Sequence, residues 1–224
     1  MKSLLVSIFI LFEGLAFSQV GNENISFSSG TFFMKANRPT TIDHVVEGNP
    51  YINSKDFKQV LIDGYSLNVQ KLRYNAYEDE MEFEDASEIY YANKQEGLKI
   101  VFTDNKKTYQ ILNYSLDNKH KFGYLVLLYE HPNISLFKRE KVELLKGEKS
   151  PSAFGKDAND YYAQQRDVYI IRKGTTYFKF PKNGRDFVKI LSVDKSSFEN
   201  FLETNKLSFS REEDIIEMME YINN

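Results

Sequence analysis

Residues Phe122–Tyr129 read Phe-Gly-Tyr-Leu-Val-Leu-Leu-Tyr, a near-continuous apolar run of strand length bounded by turn chemistry. A run of this kind, of strand length and with three aromatic residues, predicts a strand buried on both faces near the centre of a sheet. His131-Pro132-Asn133 turns the chain after it, and the basic turn Lys119-His120-Lys121 precedes it. A central strand needs neighbours, and the flanking sequence supplies them at a period of two.

Leu98–Thr103 and Thr108–Leu112 flank Asp104-Asn105-Lys106-Lys107 and predict a hairpin. Val168–Ile171 and Thr176–Phe180 predict another around Arg172-Lys173-Gly174-Thr175. Val60-Leu61-Ile62, then Asp63-Gly64, then Tyr65, Leu67 and Val69 carry the strongest local hairpin signal, because a tight turn needs positive φ. Leu72, Tyr74 and Ala76 continue the alternation, and Ile134–Phe137 and Val142–Leu145 predict shorter strands. Glu47-Gly48-Asn49-Pro50-Tyr51 is a turn, Thr31–Met34 a strand in a polar lead-in, and 146–160 a long polar loop. The 18 Phe and 15 Tyr, with no Trp, fit the same half-buried sheet surfaces.

After Pro181 the period changes to that of a helix. Phe187, Ile190 and Leu191 share one face of a short helix. Ser196-Ser197-Phe198-Glu199 and Ser210-Arg211-Glu212-Glu213 read as capping boxes. Behind them lie the apolar stripes Phe198, Phe201, Leu202 and Ile215, Met218, Met219, Ile222. The expected fold is mainly β with C-terminal helices (α+β): an antiparallel open sheet or flattened barrel capped by two or three short helices.

The N-terminus reads as an export signal: Lys2, an apolar run from Leu4 to Phe12, then Ala16-Phe17-Ser18 before Gln19. The run is too short to span a bilayer, which takes about 20 apolar residues. The expected organisation is a signal peptide over 1–18, cleaved before Gln19, and one β-rich domain over 19–224 whose segment 184–224 is helical. No transmembrane span is expected in the mature chain. The chain has no Cys, which excludes disulfides, thiolate zinc sites, cysteine nucleophiles and a lipidated N-terminal cysteine. An exported domain without disulfides points to the periplasm or surface of a Gram-negative bacterium. The formal charge of −3 argues against nucleic acid as a partner.

The acidic run Glu78-Asp79-Glu80-Met81-Glu82-Phe83-Glu84-Asp85 is the densest cluster of chemistry. On a strand, Glu80, Glu82 and Glu84 share a face with side chains about 7 Å apart, a set of oxygens for a hard cation such as Ca²⁺ or for acid–base chemistry. The alternative is a strand with Met81 and Phe83 in the core and the glutamates facing water or neighbouring cations. Arg73 and Asn75 share a face and suit a carboxylate or sugar ligand; the competing reading is an ion pair with the acidic run. His44, His120 and His131 are scattered, and no nucleophile, zinc or phosphate-loop motif is present. No cofactor is expected.

Three stretches carry a resemblance: Glu47-Gly48-Asn49-Pro50-Tyr51-Ile52-Asn53, the run Leu72–Phe83, and the C-terminal segment from Asn205-Lys206-Leu207 to Tyr221-Ile222-Asn223. They resemble a group of secreted proteins of Bacteroidetes and flavobacteria. The resemblance implies export and a Gram-negative envelope; it brings no activity or catalytic residues with it. The expected function is that of an exported, non-catalytic envelope protein that binds a ligand or partner, whether an envelope protein, a lipid or a peptide. Two alternatives stand beside it: a secreted hydrolase using carboxylates of 78–85, and a periplasmic lipid-carrier-like protein.

Overall fold

The structure, a computed structural model, describes residues 44–52, 54–65, 71–152 and 154–223. The expected signal segment, the strand at 31–34, and Leu67 and Val69 lie outside the described residues. The strands are β1 (Val46–Glu47), β2 (Val60–Ile62), β3 (Arg73–Asn75), β4 (Glu80–Asp85), β5 (Glu88–Tyr91), β6 (Lys99–Phe102) and β7 (Thr108–Leu116). They continue as β8 (Lys119–His131), β9 (Ile134–Arg139), β10 (Val142–Leu145), β11 (Asp160–Gln164), β12 (Val168–Lys173) and β13 (Thr176–Lys179). Helices α1 (Gly184–Leu191), α2 (Lys195–Asn205) and α3 (Glu212–Tyr221) close the chain.

The expected apolar run lies within β8, and β8 is central: the seven-stranded antiparallel sheet runs β13-β12-β9-β8-β7-β6-β2 and is not closed into a barrel. Both expected hairpins form, β6–β7 and β12–β13. The two-residue turn between β7 and β8 places Asp117 and Asn118 at φ 52° and 59°, the positive values whose twist matches that of the flanking strands. Burial along β8 is uneven. Phe122 is exposed while Gly123 to Val126 are buried, and β8 bonds only β7 from Lys119 to Leu125, gaining β9 from Val126 onward.

The Asp63-Gly64 expectation is met as to the turn. The chain turns there with Gly64 at φ 78°; β2 pairs with β6, and Lys58 just before β2 forms an antiparallel bridge with Leu72, while 66–70 lie outside the described residues. Two smaller sheets flank the large one: the meander β3-β4-β5, and β1-β11-β10, in which β1 is parallel to β11.

Cross-strand partners show how the two faces of the large sheet are used. Leu136 faces Ile171, and with Ile134 they carry the helices through Phe187, Phe198, Ile215, Met218 and Met219. The next pair along, Phe137 and Ile170, points to the other face and packs with Leu112, Tyr114 and Leu125. The largest core joins the β3-β4-β5 meander to the sheet through Leu72, Tyr74, Met81, Phe83, Tyr109 and Tyr124. The helix caps differ from the sequence expectation. Asp194, not Ser196, caps α2 by accepting the Ser197 N–H at 2.8 Å. Arg211 stands at the N-cap of α3 without a side-chain cap bond, while Asp214 in the first turn accepts the Ser208 N–H at 2.7 Å.

Candidate functional site

The residues singled out by sequence meet in the β3–β4 hairpin, where Arg73 opposes Glu82 and Asn75 opposes Glu80. Glu82 is fully buried, so it faces a neighbouring cation rather than water, and the expected ion pair between Arg73 and the acidic run forms. Its Oε2 accepts from Arg73 Nε at 2.7 Å and Tyr51 OH at 3.1 Å, and its Oε1 accepts from Asn75 Nδ2 at 2.8 Å. The Arg73 guanidinium is clasped between the rings of Tyr51 and Phe57, 4.3 and 4.4 Å away, and donates to the Lys55 carbonyl. The physical reason is pairing: a carboxylate can be buried when its oxygens are met by an arginine and further donors. Arg73, Asn75 and Glu82 are therefore tied to one another. Glu80 accepts from Lys94 at 2.8 Å, with burial raising its pKa against that lysine, and Glu84 is exposed. Among the described residues no group of three or more His, Cys, Asp or Glu is placed to hold a metal ion.

What the hairpin presents is its turn. Asn75 Oδ1 accepts the N–H groups of Tyr77 and Glu78 at 3.2 and 3.0 Å, a side-chain turn of the kind Asn favours. The chain then reaches Asp79 at φ 57°, a left-handed conformation that Asp tolerates better than most residues. Asp79 Oδ1 accepts from Tyr74 OH at 2.7 Å and from the Tyr124 N–H at 3.2 Å. That N–H lies on the stretch of β8 that β9 leaves unpaired. Lys94 Nζ stands 4.0 Å from Oδ2. The inner side of the carboxylate is packed while its outer side opens into a cleft, leaving the side chain 41% exposed. Burial raises its pKa against the opposing pull of Lys94, Tyr74 and the Tyr124 N–H.

The cleft encloses about 320 Å³, at the small end of ligand pockets. Asp79, Ala76 and Tyr77 form one wall, Lys121 and Phe122 of β8 another, and Arg139, Glu140 and Lys141 a third, with Tyr114 among the lining residues. Glu140 is engaged by Tyr109 OH at 2.7 Å and by Lys107 Nζ, and Lys141 pairs with Glu143. Arg139 and Lys121 have no carboxylate partner in ion-pair range among the described residues, and Arg139 Nε is buried without a hydrogen-bond acceptor. Burial raises the pKa of Tyr114, with Arg139 opposing. Phe122 and Tyr77 are 44% and 36% exposed and put aromatic surface at the rim.

A larger recess of about 590 Å³ lies between β12–β13 and the segment entering α3, with Val168, Phe180 and Phe209 beneath Arg166 and Lys182. Its carboxylate, Asp167, sits 3.9 Å from Lys138 Nζ, which is bound mainly to Glu212 at 2.7 Å. The recess is thus the seam along which α3 is fastened to the sheet. Among the histidines, His44 bonds Asp160 at 2.7 Å. His120 does have a serine neighbour: Ser115, its partner across the β7–β8 hairpin, lies 3.3 Å from Nδ1. Among the described residues no carboxylate bonds the other ring nitrogen, so within them the pair lacks the orienting group of a catalytic triad.

Arg139 has no place in the sequence expectation, and Asp79 enters it only as one member of the acidic run 78–85. A signal for Asp79 was present in Gly123, an isolated glycine inside an apolar strand, which marks a close approach by another group. Arg139 had no local signal, because its cleft forms from segments distant in sequence. No family model, no curated protein and no solved structure matches the chain.

Proposed function

We propose that this chain is an exported, non-catalytic envelope protein whose β3–β4/β8–β9 cleft binds a small anionic ligand. The observation that carries the reading is Arg139, an arginine lining a concave site with no carboxylate paired to it. Arginine meets carboxylate, sulfate or phosphate oxygens through a fixed fork of donors. Lys121 adds a second unpaired cation, and Phe122 and Tyr77 suit a ligand with an apolar or ring-shaped body. The cleft's acids are already held, Asp79 by Tyr74 and Tyr124 and Glu140 by Tyr109 and Lys107, so they leave the cations to the ligand. This arrangement supports binding over the hydrolase alternative, which needs carboxylates free to exchange protons with a substrate. The export component draws on Lys2, the Leu4–Phe12 run and Ala16-Phe17-Ser18. An envelope setting in a Gram-negative bacterium agrees with the lack of cysteine.

Two measurements test the reading. N-terminal sequencing of protein recovered from the envelope fraction should begin at Gln19; a retained Met1 refutes export with cleavage. Calorimetric titration with succinate, benzoate, glucuronate, sulfate and phosphate should give saturable binding for at least one. Arg139→Gln should weaken it by about tenfold or more, the scale of one charge-assisted hydrogen bond of 1.5–3 kcal/mol. Heats that depend only on ionic strength and persist in Arg139→Gln overturn the anion site.

A further inference from the structure

A second cleft, of about 330 Å³, lies near the β7–β8 turn and shares only Tyr114 with the first. It forms where two hairpin tips meet. The β7–β8 tip brings Asn113, Ser115 and His120, the β12–β13 tip brings Thr175 and Thr176, and Glu96 comes from the segment before β6. Every residue lining it carries a hydroxyl, amide, carboxylate or imidazole group.

The tips are held together by contacts within and beside the cleft. Lys179 pairs with Asp117, Tyr114 and Tyr177 pack with ring centroids 5.7 Å apart, and the Gly174 N–H donates to the Asn133 carbonyl at 3.0 Å. The site is therefore formed before any ligand arrives, which lowers the ordering cost of binding. Four of its polar side chains, by contrast, are uncommitted: Glu96, Asn113, Thr175 and Thr176 line it and make no side-chain hydrogen bond among the described residues, whereas Ser115 and His120 bond each other.

The mixture of groups selects the ligand. There is no lysine or arginine to draw an anion and one carboxylate, too few for a metal ion. Neutral donors and acceptors are interleaved instead: hydroxyls that do both, an amide with two donors and an acceptor, a carboxylate that accepts. The tyrosine Tyr177 adds a ring whose negative π-face suits the polarised C–H groups of a pyranose. We infer that this cleft binds a neutral saccharide, one sugar unit of a free or surface-attached glycan. The inference does not rest on the anion site, because the residues that would bind the sugar are not those that would bind the anion.

The test uses the whole protein and a panel of neutral tetrasaccharides of glucose, xylose, mannose and N-acetylglucosamine. The chain has only three histidines, so the His120 ring protons can be followed by NMR and assigned with His120→Gln. At least one saccharide should shift the His120 signals saturably, with a Kd below about 10 mM. The double variant Asn113→Ala/Glu96→Gln alters exposed side chains and should weaken that binding about tenfold or more, while Arg139→Gln leaves it unchanged. The inference is overturned if no saccharide moves the His120 signals, or if the double variant binds as tightly as the parent. A parent protein that binds sugar but no anion refutes the proposed anion function alone; one that binds anions but no sugar refutes this inference alone.

Discussion

The carboxylate of Asp79 occupies the space that a side chain on residue 123 would need: a Cβ placed on Gly123 would lie 1.9 Å from Asp79 Oδ2. The aspartate that shapes the cleft and the glycine of the central strand therefore depend on each other. Gly123→Ala must push Asp79 off Tyr74 and the Tyr124 N–H, or bend β8. We expect a loss of about 1–3 kcal/mol, the scale of overpacking at a filled site. In a double-mutant cycle with Asp79→Ala the two losses should add to more than the double variant shows, since deleting the carboxylate makes room for the methyl group. Additive losses in urea unfolding would show that the contact carries no constraint.

Glu82 sets a second expectation, and it differs from what an exposed glutamate on an alternating strand would give. Glu82→Ala leaves Arg73 without its carboxylate between the rings of Tyr51 and Phe57. Breaking a buried pair by removing one partner costs about 3–5 kcal/mol. Phe83→Ala, at the neighbouring core position, costs about the same. Glu82→Gln keeps an acceptor for Asn75 or Arg73 and should lose less than Glu82→Ala. Denaturant midpoints for the three variants decide the matter; a Glu82→Ala protein as stable as the parent contradicts the buried network.

The contrast between Glu82 and Phe122 shows what the sequence could and could not convey. Period-two alternation points to the β6–β7 and β12–β13 hairpins and a continuous apolar run to the central strand, because each depends on its own residues and its neighbour's. Alternation also placed Glu82 on the outer face, correctly as to side. It could not tell that Tyr51, some thirty residues earlier, would come down over that face and seal it. In the same way an apolar run predicts burial for Phe122, but β8 extends beyond the reach of β9 and leaves that ring at the rim of a cleft. The cleft needs Asp79, Lys121 and Arg139 together, and their convergence follows from strand order, not from spacing. Cap positions slipped for a more local reason: Asp194, two residues before the expected Ser196, offers a charged acceptor to the same free N–H groups.

The raised pKa of Asp79 has a consequence for stability. Burial is its main cause, so the native state holds the proton to a higher pH than the unfolded chain does. Between the two pKa values the native state binds more protons, and stability falls as pH rises through that window. Asp79→Asn retains an oxygen for Tyr74 and the Tyr124 N–H and removes the partly desolvated charge. Its melting temperature at neutral pH should equal or exceed the parent's, and the decline with rising pH should flatten. A residual slope should remain from Glu80, whose pKa burial also raises. The result that sinks this account is an Asp79→Asn protein with the parent's full pH slope.

The helices give the last prediction. Phe198 of α2 stacks on Phe187 of α1 with centroids 4.4 Å apart and planes 7° apart, and both side chains are fully buried. Beneath them lie Ile134, Leu136 and Ile171 of the large sheet, and Ile215, Met218 and Met219 of α3 belong to the same cluster. The helical segment is thus the cover of one sheet face, since removing it would lay that apolar surface open to water. Phe198→Ala should cost about 3–5 kcal/mol, because the cavity sits between helices that can only partly close over it. Asp194→Ala, which removes the α2 cap at the surface, should cost about 0.5–2 kcal/mol. Truncation before Ser192 strips α2 and α3 together and should leave an unfolded or aggregating protein. Thermal unfolding of all three variants checks the order: a truncated chain that melts cooperatively at the parent's temperature would mean the sheet stands without its helices, and equal losses for Phe198→Ala and Asp194→Ala would mean that helix formation, rather than packing, is what the segment contributes.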